Sequence, residues 1–90
     1  MNTLHTVNKT GQPLTLCLKA LKPGDGILLL EEGAYCLLKN KNELSNLKSV
    51  YVIEADIAAR SIGLPNNITP VSFDRFVELS TQYQKVVSWF

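Results

Sequence analysis

The stretch "PGDGILLLEEG" (residues 23–33) decides the fold. Ile27 to Leu30 form an unbroken apolar run between a Pro-Gly turn cluster and Glu31-Glu32-Gly33. A half-buried strand alternates apolar and polar residues. A continuous run of this length marks a strand covered on both faces, as in a parallel sheet. "VYVI" (residues 50–53) repeats the pattern, and Thr3 to Val7 reads as a short first strand rich in β-branched residues. Ile68 to Val71 and Val86 to Trp89 complete a set of five expected strands.

The segments between them carry helix signals. Pro13 suits a first helical turn, and that helix is expected to run to about Lys22, with Pro23-Gly24-Asp25-Gly26 ending it. Leu14, Cys17, Leu18 and Leu21 fall at i, i+3, i+4 and i+7, the inward stripe of an amphipathic helix. Ala34 to Leu38 reads as a short helix and Lys39 to Glu43 as a polar loop. Asp56 is placed to cap a helix over Ile57 to Ile62, with Gly63 at its left-handed end and Pro65 beyond. Ser72 caps a helix from Phe73 to about Tyr83, with Asp74 in its first turn. Strands alternating with helices imply a single-domain α/β fold over residues 1–90, with an open, mainly parallel sheet and helices on both faces.

Composition narrows the function classes. Hydrophobic residues make up 46% of the chain and charged residues 19%, which describes a compact globular protein and not a disordered one. Nine basic against eight acidic residues leave a net charge of +1, and the lysines are scattered. Direct nucleic-acid binding calls for a basic stripe, so none is expected. No apolar stretch reaches the ~20 residues of a membrane span. The opening MNTLHTVNK lacks the apolar core of a secretion signal. Two cysteines without such a signal fit a reducing, cytoplasmic setting.

Chemistry has few places to reside. In an open parallel sheet ligands gather outside the carboxyl ends of the strands, where Glu31, Glu32, Glu54 and Asp56 are expected. A paired-carboxylate site would need a defined separation and environment, and solvated loop acids with one helix cap explain the same residues. His5, Cys17 and Cys36 are spaced unlike a zinc motif, so no metal is expected and His5 reads as structural, at the end of the first strand. No phosphate-cradling glycine loop follows a strand and no glycine-flanked serine forms a nucleophile elbow, so no nucleotide or other cofactor is expected. For the thiols, Cys17 lies in the second turn of its helix, where the dipole fades, and Lys19 points to another face. Neither it nor Cys36 shows an activating neighbour. Tyr83, Trp89 and Phe90 are either core residues or interface anchors.

Beyond physics, the residues carry a resemblance. "LHTVNK" (Leu4 to Lys9), Gly24-Asp25 followed by "ILLLEEGAY" to Tyr35, "ADIAAR" (Ala55 to Arg60), "FVELSTQY" (Phe76 to Tyr83) and the final Ser88-Trp89 resemble, in order and spacing, the DsrH/TusB family of sulfur-relay proteins. The likeness spans nearly the whole chain. Ser61 stands where glycine is common in the family, and the loop around Asn40 to Asn42 is short.

The resemblance implies a DsrE-like fold and a place in a dimer of heterotrimers with TusC/DsrF-like and TusD/DsrE-like subunits. In the Tus system such a complex passes persulfide sulfur from the carrier TusA toward TusE and MnmA, for the 2-thiouridine of tRNA wobble positions. In the Dsr system the related complex serves sulfur oxidation. In both, the principal acceptor cysteine lies on TusD or DsrE, so this chain is expected to be an accessory subunit. Cys17 falls where DsrH-type members carry a cysteine and is the candidate persulfide acceptor here; no family role attaches to Cys36.

Overall fold

The structure, a computed structural model, describes residues 2–90. Its five strands are β1 (Thr3–Val7), β2 (Gly26–Leu29), β3 (Val50–Ile53), β4 (Ile68–Val71) and β5 (Lys85–Trp89). They form one sheet in the order β4-β3-β2-β1-β5, every neighbouring pair parallel. Helices α1 (Gln12–Ala20), α2 (Cys36–Lys39), α3 (Lys41–Leu44), α4 (Glu54–Ala59) and α5 (Phe73–Gln82) connect them, with a 3₁₀ turn over Glu31–Tyr35 before α2.

The strand order assigns the helices to faces. From β1 to β4 each strand is laid down on the same side of the last, and parallel crossovers are right-handed, so α1 to α4 must share one face. The return from β4 to β5 runs the other way and puts α5 alone on the opposite face. Packing follows this division. Val7, Ile27, Leu29, Val50, Val52 and Ile68 meet Leu14 and Cys17 of α1, Cys36 and Leu37 of α2, Leu44 of α3 and Ile57 of α4. Leu4, Leu28, Ile53 and Val71 meet Leu79, Phe76 and Tyr83. The run from Ile27 to Leu29 thus supplies both cores, Ile27 and Leu29 to one and Leu28 to the other. Burying one such side chain contributes about 1.5–3 kcal/mol.

Close approach demands glycine at one position. A Cβ on Gly33 would overlap the carbonyl oxygen of Val7, the same oxygen that accepts the Leu30 amide at 3.1 Å. This glycine lets the turn after β2 press against β1.

Several boundaries differ from the sequence reading. Helix α1 stops at Ala20, two residues before Lys22, whose amide is taken by Asp25. The expected loop at Lys39 to Glu43 contains the helical turn α3, which carries Leu44 into the core; Asn67 holds the Leu44 carbonyl at 2.8 Å. The expected helix over Ile57 to Ile62 begins directly after β3, at Glu54, so Asp56 sits in the first turn and is not the cap. Starting earlier, α4 also ends earlier. Ser61 (φ 52°), not Gly63, takes the left-handed position, and the Ile62 and Ser61 amides bond back to Ile57 and Ala58 in a Schellman closure. At α5 the Ser72 hydroxyl accepts the Arg75 amide at 3.0 Å, as a serine cap should.

Candidate functional site

The thiols lie deep. Cys17, on the inner face of α1, and Cys36, the first residue of α2, are both fully buried in the core that also holds Leu14 and Ala34. Burial pushes the Cys17 thiol up to about 12, with Cys36 and then Asp25 adding to the shift. Burial likewise raises Cys36 to about 11. A nucleophilic cysteine needs the opposite shift and some exposure. In this conformation both are protonated hydrophobes.

The carboxyl edge of the sheet gathers the acids named from sequence. A cleft of about 600 Å³ is lined by Leu30, Glu31, Ile53, Glu54, Asp56 and Phe73, among others. It opens where the chain leaving β3 turns to one face and the chain leaving β4 turns to the other, the position ligands favour in open α/β sheets. Asp56 does not face another carboxylate. Its Oδ2 accepts the Glu31 amide at 2.7 Å, holding Glu31 at φ 52°, and its Oδ1 accepts from Arg60 at 3.3 Å. Arg60 also reaches Glu32 at 3.3 Å and lies over the Tyr35 ring, 5.8 Å from its centre. Glu31 and Glu54 are exposed. This is a loop clasp, without the paired desolvated carboxylates that acid–base work needs.

A third cluster, which sequence reasoning missed, stands at the amino end. His5 is in the middle of β1, not at its end, and only 4% accessible. Its Nε2 lies 2.9 Å from Asp25 Oδ2, and Trp89 Nε1 donates to its Nδ1 at 3.0 Å. An indole nitrogen is a donor only, so Nδ1 carries no proton in this arrangement and Nε2 donates to the carboxylate. Asp25 further accepts the Thr3 amide at 2.9 Å and the Lys22 amide at 3.1 Å. Burial pushes its carboxyl up, but the hydrogen bonds from His5, Thr3 and Lys22 outweigh this and hold it below the usual carboxylate range. With both ring nitrogens engaged in hydrogen bonds, His5 presents no open lone pair to a metal ion in this arrangement. A groove of about 580 Å³ overlies the cluster, rimmed by Lys22 and Lys85. The only advance signal was the acidic residue in the Pro-Gly turn. The partners lie 20 and 84 residues from His5.

Trp89, which donates to His5, packs against the core that Cys17 and Cys36 share. Among the described residues no three His, Cys, Asp or Glu side chains converge to hold a metal ion, and no helix is long and apolar enough to cross a membrane. Of the terminal aromatics, Tyr83 and Trp89 pack against the two cores while Phe90 is 75% exposed.

Comparison with known proteins adds the missing context. The family model described as "DsrH like protein" matches residues 9–86. "Protein TusB" of Salmonella paratyphi B is 30% identical over 94 residues, covering 96% of this chain and 99% of the relative. Protein TusB of Salmonella typhi gives the same figures. That of Salmonella arizonae is 31% identical over 78 residues, covering 80% of this chain and 82% of the relative.

Proposed function

The chain belongs to the DsrH family, and from that premise we infer that it is an accessory subunit of a cytoplasmic sulfur-relay complex, with the principal sulfur-accepting cysteine on a partner. Its partners are TusC/DsrF-like and TusD/DsrE-like chains in a dimer of heterotrimers, which takes persulfide sulfur from a TusA-like carrier and passes it to a TusE-like one. The end use is 2-thiolation of the tRNA wobble uridine, a DsrEFH-like role in sulfur oxidation being the alternative. The observation that carries the accessory role is the state of the thiols: Cys17 and Cys36 are inaccessible, and burial raises both well above the range of a reactive thiolate. Phe73 and Val77, exposed one turn apart on α5, support life in an assembly, since neighbouring exposed apolar residues can mark an interaction surface.

The test is purification of the tagged chain from its own host under persulfide-preserving conditions, followed by intact-mass measurement of each component. Related small subunits should co-elute, with any extra sulfur on one of them and none on this chain. Extra sulfur here, lost in Cys17→Ser, would replace the accessory role with direct carriage through Cys17. A chain that elutes alone would end the subunit assignment.

A further inference from the structure

Strand β5 is the edge of the sheet, paired on one side only, to β1. Lys85, Val86 and Ser88 are exposed and Val87 and Trp89 half-buried, so little apolar burial holds the strand in place. Beyond its backbone ladder and the packing of Trp89 against the core, three hydrogen bonds that involve side chains hold this segment. Thr6 Oγ1 donates to Ser88 Oγ at 2.9 Å, the Gln84 amide donates to Asn2 Oδ1 at 3.2 Å, and the Trp89 indole donates to His5 Nδ1 at 3.0 Å. Segments with few buried contacts open first. The last of these contacts has a property the others lack: it exists only while His5 Nδ1 is bare.

We propose that β5 is a proton-operated strap, fastened by Trp89 to His5 and loosened when His5 takes a second proton. The chemistry is simple. A proton from solvent on Nδ1 turns the acceptor into a donor, and two donors then face each other across 3.0 Å. Nε2 keeps its proton and its bond to Asp25. The ring is anchored by β1 on one side and by Asp25 on the other, so the indole on the sheet edge gives way. The charged groups around His5 act in both directions. Asp25, from the turn before β2, favours the added charge, whereas Lys22, from the segment after α1, and Lys85, from the start of β5, oppose it. Asn2, Thr3 and Gln84 line the same groove uncharged. Loosening it bares the outer edge of β1 and withdraws Trp89 from the core that contains Cys17.

The chain has one histidine and one tryptophan, so each end of the contact reports without ambiguity. Nuclear magnetic resonance of the full ¹⁵N-labelled chain should follow the His5 ring nitrogens, the Trp89 indole N–H and the β5 amides from about pH 8 to about pH 5. The expected result is an Nε2–H tautomer at the upper end. As His5 titrates, the indole resonance moves with the same midpoint, and the protection of the amides in residues 86–89, relative to their intrinsic exchange rate at each pH, falls roughly tenfold, the scale of one lost hydrogen bond. His5→Gln, which stays neutral while offering a donor and an acceptor, should show neither change. If that variant does not fold, Trp89→Phe should make the protection of the β5 amides indifferent to His5 titration. An indole and β5 that stay unchanged while His5 titrates would overturn the proposal. So would a His5 that takes no second proton before the chain unfolds, or a loss of β5 protection on acidification that survives Trp89→Phe.

Discussion

At the amino end of the sheet, His5 and Asp25 pair with side chains 4% and 5% accessible; at the carboxyl end, Arg60 pairs with Asp56 and with Glu32, whose side chain is 63% accessible. The two clusters resemble each other on paper, each a basic group, an aspartate and an aromatic ring. Burial separates them. Behind β1, every polar atom removed from water must find a partner, and Asp25 alone satisfies His5 and two backbone amides. In the carboxyl-end clasp, water substitutes for any bond that breaks, and salt screens the attraction. The same chemistry is therefore a shielded, fully paired joint at one end and a solvent-exposed clasp at the other.

The sharpest way to break this contrast is Asp25→Ala, which removes the acceptor of the part-buried His5 Nε2 proton and Thr3 amide. Stability in urea should fall by about 3–5 kcal/mol, the range for removing one partner of a buried pair. Next comes Trp89→Phe, which leaves His5 Nδ1 without a donor and should lose about 1–3 kcal/mol by the same assay. Acid offers a third test. The Asp25 pKa is lowered on folding, so its contribution is fully present above the unfolded carboxylate value of about 3.9 and disappears as pH falls through the lower folded value. Midpoints measured from about pH 5 downward should drop in the native chain, and that part of the drop should vanish in Asp25→Asn. Smallest of all, Arg60→Ala should leave the urea midpoint nearly unchanged, with any residual effect gone in high salt. A large loss at Arg60, or a negligible one at Asp25, would erase the distinction between the two ends.

Much of the fold was legible because its signals are local. Apolar runs mark β2 and β3, Pro13 and the stripe through Leu14 and Cys17 mark α1, and Ser72 marks the start of α5; each depends on neighbours within a few residues. The end of α4 was misread because helix ends compete: Gly63 is the better residue for a left-handed position, yet the hydrogen bonds to Ile57 and Ala58 close two residues earlier and force Ser61 into it. The turn at Lys41 to Leu44 reads as polar locally, and only the buried Leu44 and the bond from Asn67 justify a helix there. At the candidate sites, helical spacing already placed Cys17 in the core. The cluster at His5 was invisible because parallel pairing joins the two ends of the chain, a relation with no signature in either end alone.

That pairing has a consequence for how the protein is made. Thr6 and Ser88 touch across the sheet yet stand 82 residues apart, so β5 leaves the ribosome long after β1. At synthesis rates of roughly 5–20 residues per second, β1 waits roughly 4–16 s for its neighbour. Throughout that interval the nascent chain displays an unpaired strand edge to every other chain in the crowded space around it. The outer edge of β1 is thus sheltered long after the strand itself is made, and a chaperone that recognises extended β-branched segments would find it open.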